Sequence, residues 1–543
     1  DGLSDRPFAW AGATVRLRTY VGYRSIMLRS MTRRIATAAV AVVVVVTSLA
    51  ACTTVVLTPV DTSTSPAPAV APDGLDEFYA QSVNWVPCES GGLECATIVA
   101  PIDYADPEAG ATELALIRKQ SSGRAVGSLF MNPGGPGGSG FDLIAQAVDF
   151  VANDTLQSNY DIVGWDPRGV GRSSPVTCLD SRQLDGYLYG VSSNPAGSDG
   201  WFDERAEAAR GFADACARNT GELIGHIDAA STARDLDLMR AVVGDEKLNY
   251  LGFSYGTVFG GQYAELFPQN VGRMVLDGAT DPTLPQSEVF VTQMAGFEGA
   301  FRAFLAYCIE ADGCPFTGPI ENAAAQASAL FAGIEERRLV AADGRTLTPG
   351  TLGTAIAYPL YDEGSWNAFI EMLAALAAGD ANLAFEFADG YNGRSPDGTY
   401  ESNATVVYTA ALCVDGVYSS DLAGTKATLA AIEAAAPITG KYLAYSDWVV
   451  VDTACQVWPA DPVLEPGPVT GVGAGPILVL GTTNDPATPY AWGRALAAQL
   501  ESGVFITRNG EGHTAYALGN ECIDTTVDEY FVDGTVPTTD PDC

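Results

Sequence analysis

The chain has 543 residues, 47% of them apolar, a formal net charge of −37 and only two histidines. That apolar content excludes a globally disordered polymer, and the length suits two or three domains of about 100–200 residues each. So negative a surface repels phosphate backbones and anionic headgroups, which argues against nucleic acid as a partner.

In chain order, residues 1–51 carry seven arginines and two acids. From Met31 the sequence reads Met-Thr-Arg33-Arg34, then an apolar run from Ile35 to Ala51, then Cys52. A basic start before a short apolar core is the pattern of an export signal, and the run is marginal for a membrane span. Leu49-Ala50-Ala51-Cys52 resembles the lipobox of bacterial lipoproteins, which implies lipidation at Cys52. An ordinary cleaved signal is the alternative. Residues 1–30 precede Met31 and read as an upstream extension, and residues 31–51 as the signal. Residues 52–79, rich in Pro, Thr and Ala, read as a tether.

Past residue 80, strand-like and helix-like stretches alternate. Short apolar strands are predicted at Ala96–Ala100, Glu113–Arg118, Gly127–Met131, Ile162–Trp165, Leu248–Phe253 and Arg273–Leu276. Helical patterns fall at Phe141–Val151 and Thr232–Val243. The same grammar returns late, with a strand at Pro476–Leu480, a helix near Tyr490–Leu500 and a strand at Val504–Thr507. Strands alternating with helices predict a mostly parallel sheet covered on both faces. Residues 282–440 differ: Phe290, Met294, Phe297, Phe301, Phe304 and Cys308 form one stripe at helical spacing, and Ala323–Glu336 and Trp366–Ala378 also read as helices. The expected architecture is an α/β core (80–281 and 441–543) with an inserted, mainly helical cap (282–440).

Setting Cys52 aside leaves ten cysteines: Cys88, Cys95, Cys178, Cys216, Cys308, Cys314, Cys413, Cys455, Cys522 and Cys543. An even number in an exported chain suggests five disulfides, although connectivity does not follow from sequence. The short gaps favour 88–95 and 308–314, and near-neighbour pairing would then join 178–216, 413–455 and 522–543. Two histidines and no Cys-x-x-Cys argue against a metal site.

The chemistry centres on Leu248-Asn-Tyr-Leu-Gly252-Phe-Ser254-Tyr255-Gly256-Thr257. A serine between two glycines, after a strand and before a helix, is the nucleophile elbow of α/β-hydrolases. Serine needs a base. His513, in Asn509-Gly-Glu-Gly-His513-Thr514, follows the last strand, where that fold places its histidine; His226 lies upstream of the serine and reads as structural. Asp485, in the turn after Pro476–Leu480, is the favoured acid, with Asp277 as rival. For the oxyanion, the N–H of Tyr255 and an amide of the Asn132–Gly140 glycine loop are expected, Gly135 first and Gly134 next. The same loop contains Gly135-x-Gly137-x-x-Gly140, a dinucleotide-type pattern, but it holds a proline inside the turn.

Asn132-Pro-Gly-Gly-Pro-Gly-Gly-Ser-Gly140, Asp161-Ile-Val-Gly-Trp-Asp-Pro-Arg-Gly-Val-Gly-Arg-Ser-Ser174, the elbow and Gly512-His513 together resemble the secreted tripeptidyl aminopeptidases of actinobacteria. These are proline-iminopeptidase-like α/β-hydrolase serine peptidases, and the resemblance runs from about residue 80 to Cys543. It implies an α/β-hydrolase fold and an extracytoplasmic exopeptidase that removes short peptides, tripeptides in particular, from free N-termini. Catalysis would use Ser254, His513 and Asp485 without metal or organic cofactor, and the membrane would be met only through a lipid anchor. Such an enzyme needs a carboxylate for the substrate's α-ammonium; Glu288, Asp362, Glu363 and Asp415 are open candidates. An esterase or lipase of the same fold is the first alternative, a non-catalytic envelope binding protein the second.

Overall fold

The computed structural model describes residues 71–89 and 91–543; the expected upstream extension (1–30), the expected signal, Cys52 and most of the expected tether lie outside the described residues. Nine strands form one sheet: β1 (Val86–Cys88), β2 (Leu93–Pro101), β3 (Ala111–Lys119), β4 (Ser128–Asn132), β5 (Asp161–Trp165), β6 (Leu248–Phe253), β7 (Val271–Asp277), β8 (Ile477–Asn484) and β9 (Gly503–Glu511), in spatial order β1-β2-β3-β5-β4-β6-β7-β8-β9. The pairs β1–β2, β2–β3 and β3–β5 are antiparallel. The loops joining β1 to β3 are too short for a crossover helix, so these strands can only fold back on one another. From β5 onward every pairing is parallel.

Side chains alternate across the sheet, so each central strand feeds two cores. Phe130, Val163, Tyr250, Met274, Leu276 and Val479 pack on one face. Leu129, Met131, Ile162, Leu251, Val275 and Leu480 pack on the other. This two-sided burial is why the parallel strands read as continuous apolar runs.

Between Asp277 and Ile477 the described chain contributes helices and no sheet strand, and the helical series runs from Gln286 to Cys455. It thus continues past residue 440. The aromatic stripe on the helix Gln286–Cys308 is buried, with the Phe304 and Phe369 rings tilted by 31° at 4.3 Å between centroids. Two earlier helices, Ser181–Tyr189 and Asp199–Thr220, join this layer through Tyr189, Trp201 and Phe202. Five disulfides join Cys88–Cys95, Cys178–Cys216, Cys308–Cys314, Cys413–Cys455 and Cys522–Cys543.

The register of the parallel strands positions the site. Asn132 pairs with Gly252, Phe253 with Asp277, and Asp277 with Leu480. One row across the carboxyl edge of the sheet therefore delivers the glycine loop, the Ser254 turn, the Asp277–Gly278 turn and the loop leading to Asp485. Ligand sites of open α/β sheets lie at this edge.

Candidate active site

Ser254 sits at the tip of β6 with φ of 54°, a left-handed conformation that non-glycine residues rarely adopt. The turn is over-determined by its surroundings. A Cβ at Gly252 would come within 2.5 Å of the Gly256 carbonyl oxygen, and one at Gly256 within 3.0 Å of Asn132. The Ser254 N–H donates to the Asp277 carbonyl at 2.8 Å, and its own carbonyl accepts from Thr257. A strain of about 1–3 kcal/mol is thereby held at one residue, whose side chain is half-buried.

His513 follows β9. Its backbone N–H donates to the Tyr361 carbonyl at 2.9 Å and its ring stands edge-on to the Tyr361 ring. Its Nδ1 lies 2.9 Å from both Oδ1 and Oδ2 of Asp485. The Asp485 carboxylate also accepts from the backbone N–H groups of Ala487, Thr488 and Thr514, and from the Thr488 hydroxyl at 3.0 Å. Those donors fix its direction. Thr488 Oγ1 is in addition 3.2 Å from His513 Nδ1, so it braces both partners. No sequence reading pointed to Thr488; the available hint is a Thr three residues after an Asp, a spacing that favours local side-chain-to-backbone bonding.

Asp277 is brought to the same edge but in another role. Its Oδ2 accepts from the N–H groups of Ala515 and Tyr516 at 3.0 and 2.8 Å, and burial pushes its carboxyl up to about 7. It props the turn that follows His513, while its carbonyl holds Ser254. The next residue, Gly278, has φ of 68°, and a Cβ there would stand 3.2 Å from His513 Cε1. The Asp277–Gly278 turn thus touches Ser254 on one side and the His513 imidazole on the other. His226 belongs to another cluster: its backbone carbonyl accepts from Arg168, whose guanidinium is paired to buried Asp235 at 2.7 Å.

The glycine loop packs against the elbow. A Cβ at Gly134 would lie 2.4 Å from the Phe253 carbonyl oxygen and 2.6 Å from the Tyr255 nitrogen. The Gly134 N–H donates to Asn132 Oδ1 at 2.8 Å, while Gly135 follows at φ of 118°. Ser139 caps the helix Gly140–Val151 by accepting from Asp142 N–H, and it donates to Asp166 of the Asp161–Ser174 motif. That motif is the loop's scaffold. Gly134→Ala is expected to displace the elbow by a sizeable fraction of an ångström and to lower kcat/KM by about 100-fold, the usual cost of such a misplacement. Steady-state kinetics at matched active-site concentration checks it.

Of the four carboxylates considered for an amine, Glu288 and Glu363 are exposed, and Asp362 caps a short turn by accepting from Gly364 N–H. Asp415 is buried; it accepts from the Tyr255 hydroxyl and from Ala229 N–H, and burial pushes its carboxyl up to about 8. Among the described residues no group of His, Cys, Asp and Glu could hold a metal ion.

Residues 441–543 match a family model described as TAP-like protein. Over 488 residues the chain is 36% identical to the Carboxylesterase B of Mycobacterium tuberculosis, covering 88% of this chain and 91% of that one. It is 33% identical over 481 residues to the Serine protease Hip1 of the same organism, covering 85% and 91%. It is 29% identical over 479 residues to the Tripeptidyl aminopeptidase of Streptomyces lividans, covering 85% and 86%.

Proposed function

We propose, because this chain belongs to the TAP-like family of serine hydrolases with the α/β-hydrolase fold, that it is an extracytoplasmic exopeptidase releasing short peptides, tripeptides in particular, from free N-termini. The observation that carries the reading is the His513–Asp485 pair at 2.9 Å, set across the Asp277–Gly278 turn from the strained Ser254. Asp485 engages Nδ1 and so assigns Nε2 to proton transfer. Ser254 Oγ attacks the scissile carbonyl as Nε2 takes its proton. The developing oxyanion is met by the N–H groups of Tyr255 and Gly135, since that of Gly134 is engaged by Asn132. His513 returns the proton to the leaving amine, and water then resolves the acyl-enzyme by the same route.

The helical layer over the sheet edge supports an exopeptidase, because a roof restricts which chain ends reach the serine. Five disulfides fit an oxidising compartment, and we assign export and lipid attachment at Cys52 on the sequence pattern. No helix of the described residues is long and apolar enough to cross a membrane.

The test compares a tripeptidyl arylamide with its N-acetylated form. Loss of one charge-assisted contact should cost the blocked substrate at least about tenfold in kcat/KM. A second reading, acyl-ester hydrolysis, is favoured by the 36% identical relative named a carboxylesterase. Equal rates on both arylamides, with faster turnover of simple acyl esters, would establish it instead.

A further inference from the structure

Four tyrosines, Tyr255, Tyr361, Tyr408 and Tyr418, tie the catalytic edge to the helical layer. Tyr255, next to the nucleophile, donates its hydroxyl to Asp415. Tyr418 stacks on Trp448, the chain neighbour of Asp447, at 6.1 Å between centroids. Tyr408 donates to Asp447 Oδ1 at 3.0 Å. The helix Ala404–Asp415 that carries Tyr408 lies against the glycine loop, where a Cβ at Gly137 would stand 3.1 Å from the Val407 Cβ, and Tyr361 meets the His513 ring. All four tyrosines are partly buried and pack on the helical core, and Asp447 itself keeps partial solvent access at the joint between the helices Gly440–Ser446 and Trp448–Cys455.

The two carboxylates beside these tyrosines, Asp415 and Asp447, are not equivalent. Asp415 has both oxygens engaged, by Tyr255 and by Ala229 N–H. Asp447 takes one bond, from Tyr408, where a carboxylate has room for about four. Burial pushes its carboxyl up to about 7, and among the described residues no guanidinium or ammonium offsets that effect. The Tyr418 ring stacks on Trp448, the next residue in the chain, and its hydroxyl is buried without a hydrogen-bond partner among the described residues. A carboxylate with spare acceptor capacity, an orphaned hydroxyl and several tyrosine faces, all lacking a cation, describe a place where a primary ammonium would complete the hydrogen bonding.

We propose that Asp447, with Tyr408 and Tyr418 beside it, binds the α-ammonium of the substrate and so measures the length of peptide that reaches Ser254. The assignment deepens the exopeptidase reading and rests on it for the identity of the amine. Of the four carboxylates singled out from sequence, Glu288 and Glu363 are exposed, Asp362 caps a turn and Asp415 accepts from Tyr255; on this proposal the role falls to Asp447 instead.

The experiment reads competitive inhibition of p-nitrophenyl acetate hydrolysis, with active sites counted by fluorophosphonate titration. Tri-alanine should inhibit the native enzyme at a Ki at least about 30-fold below that of N-acetyl-tri-alanine, as expected for a charge-assisted contact. In Asp447→Asn the two Ki values should converge to within about threefold, and Asp447→Glu should retain part of the preference. An undiminished preference in Asp447→Asn overturns the proposal. So does N-acetyl-Ala-Ala-Lys inhibiting as strongly as tri-alanine, which would give the ammonium to a side chain. Should Asp447→Asn not fold, Tyr408→Phe carries the comparison: losing the hydroxyl that orients the carboxylate should reduce the ratio about fivefold, and an unchanged ratio is fatal. Failure of the exopeptidase reading would look different, as a native enzyme that prefers tri-alanine and yet leaves tripeptidyl arylamides uncleaved.

Discussion

Ser254→Ala is expected to lower kcat by about 10⁶, the scale seen when a triad nucleophile is removed, while the circular dichroism spectrum and melting temperature stay close to native. Alanine meets the same steric penalty at φ of 54° that serine does, so the elbow keeps its shape. What disappears is the oxygen. The native protein should be labelled stoichiometrically by a fluorophosphonate and the variant not at all. Residual turnover above about 1% of native would remove Ser254 from the chemistry, and absence of labelling in the native protein would point to a binding protein on a hydrolase scaffold.

Asp485→Asn carries the second large effect, a loss of about 10⁴ in kcat with little change in KM. An amide at 485 can still accept from the Ala487 and Thr488 N–H groups, which both bond Oδ1, while its NH₂ in the Oδ2 position gives up the Thr514 bond, so most of the loop's anchoring should hold. It can also present its NH₂ to Nδ1, which stabilises the wrong imidazole tautomer and leaves Nε2 protonated in the resting enzyme. Asp277→Asn is the control. Its carboxyl accepts two backbone N–H groups and does not meet Nδ1, a task that an amide oxygen can also perform, so a loss below about tenfold is expected. If the two results are exchanged, the acid has been misassigned.

The ambiguity between these two aspartates shows where sequence reading stops. Both follow apolar strands, and the register puts their strands side by side, so strand order alone ranks them equally. Only the direction of the side chain separates them, and direction is a tertiary property. The serine elbow and the late histidine were legible because their constraints are local: glycines where a Cβ would strike backbone, and a chain with two imidazoles. The aromatic stripe on Gln286–Cys308 was legible for the same reason, since period 3.6 survives in one dimension. Strand β1 was not, because three residues carry no period. The helices Ser181–Tyr189 and Asp199–Thr220 were missed as partners of the helical layer, since nothing local says which distant surface a helix will cover. Asp447 was missed for a related reason: it sits at a joint between helices and reads as one more surface acid in a chain with 66 of them.

The adjacency of β7 and β8 in the sheet has a consequence for how such proteins diversify. The chain departs after Asp277 and re-enters at Ile477 on the neighbouring strand, so the long helical excursion leaves and returns through one narrow doorway. Lengthening, trimming or exchanging that excursion need not disturb the strand ends that carry Ser254 and Asp485. Its principal tie to the imidazole is the Tyr361 carbonyl, a main-chain group that many side chains could supply equally well. Diet can therefore drift across a lineage while the scissors stay the same, which is how one ancestral machine could be re-tooled for peptides in one descendant and esters in another.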